Sequence, residues 1–408
     1  MAADSGGQPP TAGLERRQGT RVRRRRLYYL AGFDPASPRK YHAIFTQEAP
    51  RQAALTGAQI EAGPLAELDA ISSGWSVEAH YGGEETRTDW VFLKWYDIVR
   101  AAWPKDEPGL FVGFWRAMAA YFRHRIMQVS LRDSPVVFIA SMSPVVLSSL
   151  FLLLFAGVIA ALCLGGAALA RTLGWPAFSL GLPPLLLALA LFPAWRLVDR
   201  YVNVAWLGRG MICAVRAGQG AYPIDQRCAE IADKLVQADQ AGDADEILVV
   251  GHSMGCQLAA QAVGKALRAD PAFGQRRAQV NLLTLGQLIP FYSLISDDER
   301  FHADLTALNE ARRVGWLDVT SPADGGCAAA IHPLEGVRGT EPGDRPRRRS
   351  PRFHVLLSKA SYRALVRRPL DYHFHYIKAA ETAGEYDFYR LTTGPEPLTA
   401  AYRTAGGE

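Results

Sequence analysis

The chain has 408 residues, 49% of them hydrophobic and 21% charged, which is enough for one large domain with an insertion or for two domains and too apolar for a disordered protein. The net charge is a modest +5, and seven of the 45 basic residues are Lys. Five cysteines, an odd number whose spacing fits no metal site, point to reduced thiols in a protein facing the cytosol.

Residues 1–20 are polar and Gly/Pro-rich and are predicted to be a disordered tail, with no signal peptide. Arginines cluster at 21–26 and again at 345–349. Such clusters suit nucleic acid or anionic lipid, and equally a solvated tail or loop; no nucleic-acid-binding motif accompanies them, so no nucleic acid is expected as a partner. Leu27 to Leu30 reads as a strand, followed by the turn Ala31-Gly32-Phe33-Asp34-Pro35, and residues 90–95 (WVFLKW) read as another strand. Residues 110–125 place Phe111, Phe114, Trp115, Met118 and Tyr121 on one stripe with arginines elsewhere. That pattern fits a helix lying in a membrane interface or one packed on the domain core.

Residues 134–170 carry no charge. Within them, 145–170 would extend about 39 Å as a helix, more than a bilayer core of roughly 30 Å. After Arg171, residues 172–195 are uncharged as well, interrupted by Pro176, Pro183, Pro184 and Pro193, with Trp175 and Trp195 near the ends. The expectation is a transmembrane hairpin over 134–196 with the lipid bilayer as partner. Arg123, Arg125 and Arg132 precede it and Arg196, Arg200 and Arg209 follow it, against Arg171 alone in the connection. This bias predicts an integral protein of the inner or plasma membrane with its soluble part in the cytoplasm.

The α/β alternation resumes with a helical pattern over 225–241, where Ile231, Leu235 and Ala238 share a face. Ile247 to Val250 is a continuous apolar run, as for a strand buried on both faces. Gly251-His252-Ser253-Met254-Gly255 follows, and then Cys256, Ala259, Ala260, Val263 and Leu267 at helical spacing. Chance alone would place roughly 0.15 G-x-S-x-G matches in such a chain. The strand, tight turn and helix around it are what a nucleophile elbow requires. Further strands are predicted at 280–286 and 314–319, so the fold class expected is α/β, a mostly parallel sheet flanked by helices and interrupted by the hairpin.

On the elbow motif and its context the chain resembles the α/β-hydrolase superfamily, its lipase and esterase branch, over roughly residues 26–100 and 200–380. The resemblance implies a serine nucleophile, Ser253, and the chain order Ser, acid, His. For the acid, Asp318 lies inside a strand pattern and Asp324 just beyond it, where a loop can aim a carboxylate; Asp324 is preferred. For the base, His332, His354, His373 and His375 follow; His373, which forms H-x-x-Y with Tyr376, is preferred, and His375 is the alternative. If 373–376 is extended, the two share a face; if helical, they diverge. His252 is expected to pack behind the turn. The resemblance places the oxyanion donors at the backbone N–H groups of Phe33 and Met254; where lipases often carry His-Gly, this chain has Ala31-Gly32. It implies no metal and no cofactor. Residues 335–352, rich in Gly, Pro and Arg, are expected to be a mobile loop.

The domain organisation expected is a tail at 1–20, hydrolase parts at 21–133 and 197–390 around the hairpin at 134–196, and a C-terminal tail at 391–408. The function expected is a membrane-anchored serine hydrolase acting on an ester or thioester, with lipid or acyl substrates favoured by location. The alternatives are a catalytically silent membrane scaffold with the same fold and an acyltransferase using the same serine.

Overall fold

The computed structural model of the chain describes residues 21–103, 107–174, 196 and 204–401. The predicted 1–20 tail, most of the predicted second membrane span and the final residues lie outside them.

The chain opens with β1 (Arg24–Leu30), α1 (Pro38–Thr56), β2 (Gln59–Ala62), β3 (Ala66–Asp69), β4 (Ser72–Tyr81), β5 (Glu84–Leu93) and α2 (Tyr96–Ala102). Three further helices follow, α3 (Glu107–Arg123), α4 (Ile126–Asp133) and the long α5 (Pro135–Leu173). The second half comprises α6 (Val204–Gly218), α7 (Ile224–Ala241), β6 (Glu246–His252), α8 (Gly255–Ala269), β7 (Gln279–Leu285), α9 (Ile289–Ile295), α10 (Glu299–Glu310), β8 (Gly315–Val319) and β9 (Arg347–Arg349), and ends in short helical turns.

The strands form one nine-stranded sheet, ordered β2-β4-β5-β1-β6-β7-β8-β9, with β3 on β4. From β5 to β9 every pairing is parallel, and the pairings of β4 with β2, β3 and β5 are antiparallel. The fold is therefore α/β, with a mostly parallel, partly mixed sheet flanked by helices. Side chains alternate across it, as the two-residue strand period demands. Tyr28, Leu30, Ile247, Val249, Val280 and Leu282 pack beneath α7, α8 and α10. Leu27, Tyr29, Leu248, Val250, Leu283 and Leu285 pack on the other face with α1 and the C-terminal turns. The predicted stripe on α8 is buried, and so are Gln257, Leu258, Gln261 and Ala262 on its other sides, because α7 and α10 flank it.

A third apolar cluster stands over the carboxyl ends of the strands. It joins Phe114, Met118 and Tyr121 of α3, Ile126 and Met127 of α4, Val137 of α5, Met211, Ile212 and Val215 of α6, and Phe291 of α9. Part of the expected α3 stripe is thus a packing face, whereas Trp115 is 41% exposed and Phe122 53%.

Among the described residues α5 is the one helix long and apolar enough to cross a membrane. Its base is packed on the domain, with Val137 1% exposed, while Leu153 and Leu164 farther along are 70% and 73% exposed. The change falls at Pro144, which lacks the N–H that would reach the Ala140 carbonyl. The Ser143 hydroxyl donates to that carbonyl instead, at 2.8 Å, a repair common in membrane helices.

Three expectations are corrected. Residues 391–401 are part of the folded domain rather than the start of a tail: Leu391 and Leu398 are buried, and Arg25 donates to the carbonyls of Gly394 and Glu396. Residues 347–349 are an edge strand inside the expected 335–352 loop, paired to β8. The first arginine cluster enters β1 and pairs internally, Arg24 with Asp89, Arg25 with Glu246 and Arg26 with Asp243.

Candidate active site

β6 ends beside both β1 and β7, with Gly251 opposite Leu30 and His252 opposite Leu285. Ser253 follows with φ of 58°, a left-handed conformation that a non-glycine residue adopts at a cost of order 1 kcal/mol or more. Its N–H is held by the Leu285 carbonyl at 2.8 Å. The flanking glycines are needed for space. A methyl group on Gly251 would lie 2.5 Å from Cys256 Cα, and one on Gly255 would collide with the carbonyls of Leu30 and Ala31. Strand, strained serine and helix N-terminus thus meet at the carboxyl edge of the parallel sheet, where open α/β sheets place their ligands.

The turn after β1 reaches the same point: a Cβ on Gly32 would lie 2.8 Å from Ser253 Cβ. The turn is fixed from behind. Trp95 Nε1 donates to the Ala31 carbonyl at 2.8 Å, and the Phe33 ring stacks on Trp103 with centroids 5.6 Å apart. The backbone N–H groups of Phe33 and Met254 are donors in none of the turn and loop hydrogen bonds of the described residues. Phe33, Ser253 and Met254 line one cavity.

Asp324 and His373 are brought together, both buried, with Nδ1–H of His373 donating to Asp324 Oδ2 at 2.8 Å. Asp324 also accepts from the Tyr376 hydroxyl at 3.0 Å and from the Gly326 N–H at 2.9 Å. Burial pushes its carboxyl upward, but the His373 charge and these hydrogen bonds outweigh burial and hold it below the usual carboxylate range. Tyr376 in turn accepts from the Ser321 N–H at 2.9 Å. The H-x-x-Y spacing therefore has a mechanical meaning that the sequence did not disclose: helix Pro369–His373 runs into a 3-10 turn, so residues 373 and 376 close on the same carboxylate.

His373 is also tied to the elbow. His252 Nε2 donates to the His373 carbonyl at 2.9 Å, and the two rings stack at 5.1 Å. Burial, with the neighbouring His373, pushes His252 down to about 3, so it is a neutral support behind the turn. His373 Nε2 is buried without a hydrogen-bond partner among the described residues. No hydrogen bond links it to Ser253 Oγ there; such contacts often tighten only when substrate binds.

The other candidates lie apart. Asp318 is buried in β8, accepts from the Thr284 hydroxyl at 2.7 Å, and is raised by burial to about 7. His375 packs edge-on against Phe353 at 4.9 Å, His332 accepts from the Leu334 N–H, and His354 is exposed. All five cysteines are free thiols, and no cluster of metal-ligating side chains occurs among the described residues.

The acid loop leans on the apolar helix: a methyl on Gly325 would lie 2.6 Å from Ala140 Cβ of α5. Trp206 of α6 stands 6.2 Å from the His373 ring, centroid to centroid. Neither contact was visible in the sequence, because both partners lie outside the α/β alternation. Comparison with protein-family models, with curated proteins and with solved structures found no match.

Proposed function

We propose that the protein is a membrane-anchored serine hydrolase of the α/β-hydrolase type, acting on an ester or thioester. The observation that carries this reading is the Asp324–His373 pair at 2.8 Å, anchored by the His373 carbonyl to His252, the residue preceding a strained serine. In the first step Ser253 Oγ attacks the substrate carbonyl carbon and His373 Nε2 takes the hydroxyl proton. Asp324 holds the tautomer that leaves Nε2 free and stabilises the imidazolium. The oxyanion lies against the N–H groups of Phe33 and Met254, each worth on the order of 3 kcal/mol in sites of this kind. As the tetrahedral centre collapses, the bond to the leaving oxygen or sulfur breaks and His373 returns the proton to it. Water then attacks the acyl-serine with His373 as base, releasing the acid.

The sheet supports a hairpin topology. β5 precedes α5 and β6 follows it, yet both strands pair with β1. If α5 crosses a bilayer, the chain is back on the starting side by residue 204. The arginine bias favours the cytoplasmic side for the domain.

The test is hydrolysis of p-nitrophenyl esters and acyl thioesters by the full chain, wild type against Ser253→Ala, with and without an added alcohol. Loss of turnover in the variant with free acid as the product supports the hydrolase. Ester formation with the alcohol supports transfer, and equal rates for both proteins would leave the scaffold reading.

A further inference from the structure

We propose that the cavity above Ser253 binds the acyl half of the substrate, an unbranched aliphatic chain of short to medium length, and that Gly210 sets that length; the proposal rests on Ser253 being the nucleophile. The cavity measures about 70 Å³, with Ser253 and the two oxyanion donors in its lining. Its walls come largely from the helices outside the α/β alternation: Tyr121 of α3, Val137 and Ser141 of α5, and Trp206, Gly210 and Met211 of α6. No charged side chain lines it among the described residues. A charged group placed there would lose its hydration without gaining a counter-charge, and the mostly apolar walls suit an alkyl chain. The space is small beside the pockets that take drug-sized ligands, which favours a short to medium chain.

The same lining separates the two halves of the substrate. His373 must hand its proton to the leaving group, so the leaving group departs beside His373. His373 does not line the cavity, so the cavity holds the half that stays on the serine.

Gly210 is the residue that sets the depth. A glycine inside a helix costs about 1 kcal/mol relative to Ala. On the same helix Gly218 has a packing reason, since a methyl there would lie 2.7 Å from Ile295. Gly210 has none: a methyl there would meet nothing within 4 Å, although the residue lines the cavity. The missing side chain is room for the ligand.

The experiment measures kcat/KM of the full chain in lipid nanodiscs for p-nitrophenyl esters with acyl chains from two to twelve carbons, comparing wild type, Gly210→Ala and Gly210→Leu. Gly210→Ala favours the helix, so it tests the cavity in a fold-compatible variant, and fluorophosphonate labelling of Ser253 reports an assembled site in each protein. Wild type is expected to peak at an intermediate acyl length, between four and eight carbons. The hexanoate-to-acetate ratio should fall at least tenfold in Gly210→Leu, with Gly210→Ala between the two. A second series, acetate esters of lengthening alcohols, should give the same profile in all three proteins. An unchanged acyl profile in proteins whose Ser253 still labels, or a shift in the alcohol series instead, overturns the proposal and leaves the nucleophile reading standing. If wild-type Ser253 is not labelled, both fall.

Discussion

The two ends of the parallel strands treat buried polar groups in opposite ways. At the amino ends, Arg25 and Glu246 are both fully buried and joined at 2.6 Å. Arg25 also donates to two backbone carbonyls, and Glu246 accepts from Asn281 and from the Leu398 N–H. At the carboxyl ends, His373 Nε2 is buried without a partner, and Ser253 holds a strained backbone. A saturated network fixes one arrangement of the chain and ties its C-terminal segment to β1 and β6. Unsaturated groups beside a cavity have hydrogen bonds left to give to a substrate. On the proposed function, the contrast assigns stability and chemistry to opposite ends of the same strands, and it can be broken by changing each end separately.

The largest effect should come from the base. His373→Ala is expected to lower kcat/KM for ester hydrolysis by on the order of 10⁴-fold in the molecules that remain folded, because it removes proton transfer; some folding stability is lost as well, since Asp324 is left buried without its partner. His375→Ala, two residues away but packed on Phe353, should stay within a few-fold of wild type. Swapped outcomes would move the base to His375 and sever it from Asp324.

At the opposite end, Arg25→Leu should cost about 3–5 kcal/mol of folding stability, because Glu246 is left buried without its counter-charge. Denaturant titration measures the loss. The turnover of the molecules that remain folded should be that of wild type, which would show that the amino-end network serves the fold alone.

A smaller effect, visible in its pH dependence, belongs to Asp318, which lies between the two ends. Burial raises its carboxyl to about 7, above the unfolded value near 3.8, so the folded state binds its proton more tightly. Its contribution to stability is full below about pH 4 and is lost as pH rises toward 7. Asp318→Asn should remove this loss and gain on the order of 2–4 kcal/mol at pH 8, with little change at pH 4. Melting curves of both proteins between pH 4 and 8 would check it; parallel curves would contradict the assignment.

Much of the site was legible in the sequence because its parts are local patterns. The apolar run into Gly251-His252-Ser253-Met254-Gly255 and the helical spacing after it describe β6, the elbow and α8 within a few residues. Asp324 and His373 could be ranked by position, and the structure places them in contact. What could not be read depends on partners far along the chain. Arg25 looked like part of a basic tail because Glu246 lies more than 200 residues away. Residues 347–349 are three arginines with no strand signature, held by pairing to β8. The β4–β5 hairpin did carry a signal, Gly82-Gly83 between two alternating runs, of the kind that marks a tight turn. The roof over Ser253 was illegible for a different reason. The base of α5 read as part of a membrane span, α3 as an interfacial helix or one packed on the core, and α6 carried no pattern that was read, and composition does not say that Tyr121, Val137 and Met211 face a serine.

The central claim is that Ser253 is a nucleophile activated by His373. The direct measurement is labelling of the full chain with a fluorophosphonate, followed by peptide mass spectrometry to locate the adduct, in wild type, Ser253→Ala and His373→Ala. A single adduct on Ser253 in wild type, absent from Ser253→Ala and slowed by orders of magnitude in His373→Ala, is the predicted result. A wild-type protein that stays unlabelled, or that labels as fast without His373, would contradict it.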